Sequence, residues 1–280
     1  MRIHFCGVRG SSPAPGIEFV RYGGHTSCVA LASDDASAPT LILDAGDGLK
    51  SLTALRGRES FAGTILLTHL HWDHVLGLPF FASGDRTDAR VRVMVPEQAN
   101  GDGPEAVLAG MMSSPYFPIG PSGLRGEWRF ASVDDGRREI EEFTVLAREI
   151  PHKGGRTFGY RVSNGRATLA YLPDHCPTAI GPGERGFGEC HAAAVELAAD
   201  ADVLIHDAQL FPEEFAAEAG YGHAVADYAV ELAARAHARS VVLFHHRYDR
   251  TDAALDGLAR RFANASPRVS VATEGTAIDL

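Results

Sequence analysis

The segment His69-Leu70-His71-Trp72-Asp73-His74 packs three imidazoles and a carboxylate into six residues, directly behind the apolar run Thr64-Ile65-Leu66-Leu67-Thr68. A run of that length and composition reads as a buried β-strand. The chain must therefore leave a core and at once present a row of polar side chains, a density for which packing gives no reason. On a loop the four can converge, and imidazole nitrogen with carboxylate oxygen suits zinc, with manganese or iron as further occupants. Any one of the four reads equally well as a satisfied turn residue. Together they demand a fold that presents a metal site at the edge of a sheet.

The remaining chain supplies the sheets and helices around such an edge. Short β-rich runs at 3–8, 27–32 and 40–43 end at Gly, Pro, Ser or Asp punctuation, and a helix is predicted over 48–55. Strands return at 128–131, 143–150, 158–162 and 168–172. Beyond them the pattern alternates: helix 190–199, strand 203–206, helix 224–238 with Val225, Ala229, Leu232 and Ala236 on one face, strand 240–244, helix 252–263. Two β-rich halves flanked by helices predict an α/β fold of two packed sheets with helices outside, a four-layer αββα sandwich. The length suits one large domain or two small ones. With no repeat, low-complexity tract or linker, the reading is a single domain over 1–280. Segment 96–126, centred on Ser113-Ser114-Pro115-Tyr116-Phe117-Pro118, lacks a pattern and reads evenly as a substrate lid or a surface loop.

Acidic residues outnumber basic ones by 36 to 26, a formal charge of -10. That balance argues against an extended grip on nucleic-acid phosphates, yet cations bound in one pocket would still attract a small anionic substrate. Cys6, Cys28, Cys176 and Cys190 are scattered and form no C-x-x-C pair, so neither a disulfide framework nor a thiolate zinc site is expected. The first residues turn polar too soon for a signal peptide and no run approaches a membrane span. The expectation is a reduced, cytoplasmic protein without a membrane partner, and a homodimer only on general frequency.

The pattern H-x-H-x-D-H behind an apolar strand resembles the signature of the metallo-β-lactamase superfamily, and further pieces occur in that family's order. They are His152 in Ile150-Pro151-His152-Lys153-Gly154-Gly155, Asp174 in Tyr171-Leu172-Pro173-Asp174-His175, and His245 at the end of Val241-Val242-Leu243-Phe244, with His246 as its competitor. Taken alone, His152 reads as a surface histidine and Asp174 as a turn residue. The resemblance implies that His69, His71 and His152 hold one divalent cation, that Asp73, His74 and His245 hold the other, and that Asp174 bridges them. Such sites leave positions open for water, as catalytic zinc requires. Asp44, in Leu43-Asp44-Ala45-Gly46, resembles a family aspartate that orients ligands from beneath, and reads almost equally as a turn former.

Two cations about 3.5 to 4 Å apart can share a hydroxide near neutral pH, so no serine or cysteine nucleophile is needed, and no G-x-S-x-G elbow is present. Asp207, after the strand at 203–206, and His223, after Gly222, resemble the proton-delivering dyad of the ribonuclease Z and cyclic-phosphodiesterase branch. Gly222-His223-Ala224, Leu243-Phe244-His245-His246, Gly7-Val8-Arg9-Gly10-Ser11 and Tyr22-Gly23-Gly24 resemble bacterial phosphodiesterases related to phosphoribosyl cyclic phosphate phosphodiesterase. The resemblance implies hydrolysis of a small, cyclic phosphodiester or nucleotide with Asp73, Asp207 and His223 in the catalytic set. The alternatives are a thioester, lactone or lactam cleaved by the same metal pair, or a ligand-binding member without turnover. His25 departs from the family's Gly-Gly-Asn-Thr-Ser motif, Asp207 stands where ribonuclease Z carries glutamate, and no glycine- and lysine-rich insert of the kind that clasps transfer RNA is present. Arg9 and the amides near Gly10 and Ser11 read as an anion nest or, preferably, a tight turn. Tyr116 and Phe117 read as a stacking platform or, preferably, as pins for a loop. All five stay outside the catalytic set.

Overall fold

The computed structural model describes residues 1–34, 36, 38–98 and 101–280. The first half contributes strands β1 (Arg2–Gly7), β2 (Arg9–Gly10), β3 (Cys28–Ala32), β4 (Leu41–Leu43), β5 (Ala62–Leu66), β6 (Arg90–Pro96) and β7 (Glu127–Val133), with helices α1 (Leu49–Leu55), α2 (Trp72–Val75) and α3 (Pro104–Ala109). Then come β8 (Gly136–Ile140), β9 (Phe143–Glu149), β10 (Phe158–Ser163), β11 (Thr168–Leu172), β12 (Val203–Asp207), β13 (Ser240–Phe244), β14 (His246–Arg247), β15 (Arg268–Val271) and β16 (Ala277–Asp279). Helices α4 (Ala192–Ala198), α5 (Pro212–Glu218), α6 (Ala226–Arg235) and α7 (Asp252–Arg261) lie among them.

Among the described residues the strands form two seven-stranded sheets, ordered β16-β1-β3-β4-β5-β6-β7 and β15-β13-β12-β11-β10-β9-β8, and a two-stranded pairing of β14 with β2. Side-chain alternation shows how they stack. In β3, Val29 and Leu31 enter a core shared by both sheets, whereas Cys28 and Ala30 face outward onto Leu49 and Leu52 of α1. In β13, Val242 and Phe244 enter the same shared core, whereas Val241 and Leu243 meet Ala229, Leu232 and Leu255 of α6 and α7. Strands covered on both faces lose the apolar-polar alternation, which is why β12 and β13 read as continuous apolar runs. The outcome is the expected αββα sandwich. Among the described residues, no helix is long and apolar enough to cross a membrane.

Helices run shorter than the sequence suggests, since α6 covers ten residues and α4 seven. Segment 96–126 contains α3, so it is not wholly irregular; residues 99 and 100 lie outside the described set. The strands β4-β5-β6-β7 and β11-β12-β13-β15 pair in parallel. Their carboxyl ends share one rim, where loops of parallel sheets gather functional groups. Asp44 follows β4, His69 follows β5, Asp174 follows β11, Asp207 ends β12 and His245 follows β13.

Phe143 is fully buried in the shared core, whereas Leu55 at the end of α1 is 49% exposed. Phe143→Ala is expected to lower unfolding free energy by about 3–5 kcal/mol and Leu55→Ala by under roughly 0.5 kcal/mol. Denaturant titration reads both, and equal effects would contradict the layer assignment.

Candidate metal centre

The rim gathers all seven residues that the sequence nominates. Ligand-type atoms of His69, His71, His152 and Asp174 lie within 4.8 Å of one another, as do those of Asp73, His74 and His245. Asp174 faces both groups with different oxygens. Its Oδ2 is 3.3 Å from His152 Nε2 and 3.7 Å from His69 Nε2, and its Oδ1 is 3.0 Å from both His74 Nε2 and His245 Nε2. Asp73 Oδ2 closes the second group at 3.0 Å from His245 Nε2 and 3.3 Å from His74 Nε2. Two ligands bound to zinc at its usual bond lengths stand about 3.0–3.4 Å apart, and these pairs match that spacing except His69 with Asp174 at 3.7 Å. Asp73 and His74 belong to the short helix α2, so the histidine motif is part loop and part helix rather than loop throughout.

Hydrogen bonds on the far side of three rings, those of His69, His74 and His152, fix which atom faces inward. His74 Nδ1 donates to Asp44 Oδ2 at 2.8 Å and His152 Nδ1 donates to the Gly222 carbonyl at 2.8 Å, so both Nε2 atoms present lone pairs to the cluster. The Thr68 hydroxyl lies 2.9 Å from both Asp44 oxygens, leaving it to accept from His69 Nδ1 at 3.1 Å. His69 Nε2 is then a buried acceptor without a hydrogen-bond partner among the described residues. The ring nitrogens crowd together: His74 Nε2 and His245 Nε2 are 3.2 Å apart, and His71 Nδ1 and His152 Nε2 are 3.4 Å apart. Inward-facing acceptors need positive charge between them, and a set of neutral imidazoles and carboxylates fits divalent cations.

The electrostatics agree. Burial penalises a charge on His74, but Asp174, Asp73 and Asp44 together outweigh it and push its pKa well up. Burial and neighbouring imidazoles push His69 well down. Burial opposes the charge on Asp174 and Asp73, yet the surrounding histidines hold both carboxyls well below their usual range. A field that concentrates a proton on the cluster also favours a cation there.

Asp44 anchors this arrangement from beneath. It is fully buried at φ 59° and accepts from the Thr68 amide at 2.7 Å and the Tyr171 hydroxyl at 3.0 Å besides His74. His245, also left-handed at φ 60°, turns its ring into the cluster. His246 goes the other way, its Nε2 donating to the Ala272 carbonyl at 2.9 Å, and burial pushes its pKa down to about 3. Gly10 sits so close to His245 that a Cβ there would fall 2.2 Å from its Nδ1.

Arg9 is fully buried, donating to the carbonyls of Gly23, Arg247 and Arg250, so it clamps loops. The Ser11 amide donates to Asp73 Oδ2 at 2.7 Å, serving a cluster carboxylate rather than an open anion nest. His25, at the departure from the family motif, bonds Glu274 at 2.6 Å. Phe117 packs edge-on against Phe80, and with Trp72, Leu76, Met111 and Tyr116 it lines an apolar groove of about 650 Å³ that none of the seven cluster residues borders.

Asp207 and His223 meet as expected, with His223 Nδ1 at 3.0 Å from Asp207 Oδ2 and 3.9 Å from Asp174 Oδ2. Asp207 also accepts from the amides of His175 and Gln209. Burial opposes a charge on His223, but Asp207, by charge and hydrogen bond, then Asp174 and Asp73, push its pKa up to about 9. With Asp174 and His245, His223 also satisfies the ligand spacing, but its Nδ1 is committed to Asp207. Sequence reasoning missed Thr68, Tyr171, His175 and His206, none of which stands in a ligand-like pattern; only adjacency to Asp174 and Asp207 marks the two histidines.

Zinc-loaded protein is expected to hold about two equivalents per chain by elemental analysis. His152→Ala should lose one and Asp174→Ala should weaken both; two tightly held equivalents in Asp174→Ala would contradict its shared position. Because the cluster exists only in the folded chain, metal at 100 times its Kd should add about 2.7 kcal/mol of stability.

Residues 41–246 match the beta-lactamase superfamily domain. The ribonuclease Z of Geobacillus kaustophilus (strain HTA426) is 27% identical over 266 residues, covering 79% of this chain and 82% of that protein. The metallo-beta-lactamase fold protein YhfI from Bacillus subtilis superposes with a TM-score of 0.72 at 17% identity, covering 99% of each chain. A diphosphatase from the PhnP family superposes with a TM-score of 0.67 at 17% identity, covering 100% of this chain and 97% of that one. At such identities the two superpositions speak for the fold, whereas the domain match runs from β4 to the histidine pair at the end of β13. The chain belongs to the metallo-β-lactamase superfamily, it is a metal-dependent hydrolase, and its sequence is similar to that of ribonuclease Z.

Proposed function

We propose that this hydrolase cleaves small phosphodiesters, cyclic ones in particular, with zinc as its metal. The observation that carries the reading is the Asp207–His223 pair, 3.0 Å apart and beside the Asp174 carboxylate. Hydrolysis of a phosphodiester with a poor leaving group needs a proton delivered to the departing alkoxide. With Nδ1 held by Asp207, His223 has Nε2 left for that transfer. The relative named ribonuclease Z supports a phosphodiester substrate, and the formal charge of -10 favours a small one over a long nucleic acid.

His69, His71 and His152 would hold one cation, Asp73, His74 and His245 the other, with one oxygen of Asp174 for each. When bound, such a pair lowers the pKa of water and neutralises charge on phosphoryl oxygens. The chain's own groups do the rest. Asp44, Thr68 and the Gly222 carbonyl fix the imidazole tautomers. Asp73, held by the Ser11 amide, is the carboxylate available to take the proton of the attacking water. Asp207 keeps His223 aligned and protonated, so one proton is taken on the attacking side and one is given on the leaving side.

A panel of bis-p-nitrophenyl phosphate, a 2′,3′-cyclic nucleotide, a thioester and a lactam tests the reading with zinc-loaded protein. His223→Ala should lower kcat on the cyclic ester by roughly 10² to 10⁴, with a much smaller loss on the p-nitrophenyl ester, whose leaving group needs no proton. Turnover of the thioester or lactam alone would overturn the substrate class. Equal indifference of both phosphodiesters to His223→Ala would overturn the acid role.

A further inference from the structure

Behind Asp174 and Asp207 lies a buried cluster that the reaction itself does not consume. His175 and His206 are fully buried and Tyr228 is 1% exposed. Their rings form a triangle, with centroids 5.2 Å apart for His175–His206, 5.5 Å for His175–Tyr228 and 5.6 Å for His206–Tyr228. Each ring comes from a segment that carries a residue of the proposed site: His175 follows Asp174, His206 precedes Asp207, and Tyr228 lies in the first turn of α6, just beyond His223.

Hydrogen bonds give this triangle a direction. His206 Nδ1 is 2.7 Å from the Asp207 carbonyl, which only accepts, so Nδ1 carries the proton and Nε2 is the acceptor. His175 Nδ1 then donates to His206 Nε2 at 3.0 Å. The His175 main-chain amide donates to Asp207 Oδ2 at 3.2 Å, the oxygen that also receives His223 Nδ1. His175 Nε2 ends the chain as a buried acceptor with no hydrogen-bond partner among the described residues. Apolar side chains of similar volume would fill the space without the desolvation cost of two imidazoles, so packing alone does not account for them. What the imidazoles add is orientation: they strap the turn bearing Asp174 to the end of β12 and brace both on α6.

We propose that His175 and His206, braced by Tyr228, are positioning residues that set Asp207, and through it His223, relative to the Asp174 carboxylate. The inference rests on the acid role proposed for His223. An element that holds two acidic groups and a proton donor in register acts through its hydrogen-bond geometry, and a substitution that keeps that geometry should keep the function.

His206→Gln retains one donor and one acceptor, whereas His206→Leu retains bulk and removes both. With zinc-loaded full-length protein, His206→Leu is expected to lower kcat on a 2′,3′-cyclic nucleotide by roughly 10- to 100-fold, while KM moves little. Bis-p-nitrophenyl phosphate should be nearly unaffected, and His206→Gln should recover most of the lost rate. Equal losses in the Gln and Leu variants, an unaffected Leu variant, or equal losses on both substrates would each overturn the proposal. Should His206→Leu fail to fold, His175→Leu against His175→Gln makes the same comparison from the other partner. If the unsubstituted protein hydrolyses no phosphodiester, the functional reading fails on its own. The positioning claim is then decided by the NMR resonance of the proton between His223 and Asp207. Displacement of that resonance in the Leu variant but not in the Gln variant supports the claim, and no displacement in either overturns it.

Discussion

At the rim where the two sheets meet, buried acceptors point at one another. His69, His74 and His152 each spend one ring nitrogen on a donor bond to the scaffold, and the other is forced inward onto the carboxylates of Asp73 and Asp174. Left without positive charge this arrangement is repulsive, and burial magnifies the repulsion because little water is present to screen it. The fold therefore carries an electrostatic deficit at one edge, held in place by an extensive apolar core behind it. Asp44, Thr68 and Tyr171 keep that deficit from relaxing, since they clamp the rings in the tautomer that creates it.

The two sheets make unequal contributions. The first brings the dense histidine motif and Asp44, all within reach of one another along the ends of β4 and β5. The second brings single residues from widely separated positions: His152, Asp174, Asp207, His223 and His245. Asp174 is where the halves meet, because one carboxylate touches histidines from both sheets with different oxygens. Displacing the sheets relative to one another would break both groups together, so packing of the shared core and integrity of the site are one problem rather than two.

The histidine motif was legible because its ligands are dense within six residues and follow an unmistakable apolar run. The sandwich was legible from strand and helix order. His152, Asp174 and His245 gained meaning only through family order, since each is locally an ordinary loop residue. Helix α2 escaped sequence reading because four residues are too few for a periodic pattern, and β15 and β16 escaped because their pairing partners lie far away in the sequence. Arg9 and Ser11 illustrate the harder limit. A basic residue beside a glycine turn reads as a tight turn before it reads as an anion site, and neither reading reveals that tertiary contacts assign the guanidinium to main-chain carbonyls and the amide to Asp73.

Gly222 joins two tasks in one residue. Its carbonyl receives the Nδ1 proton of His152, its φ of 95° permits the turn that launches His223, and a side chain there would crowd His152 at 3.2 Å. The main-chain atom that sets the tautomer of one imidazole thus sits one residue before the other. The two imidazoles are therefore mechanically joined through that peptide, and the energetic effects of substitutions at 152 and 223 should not simply add.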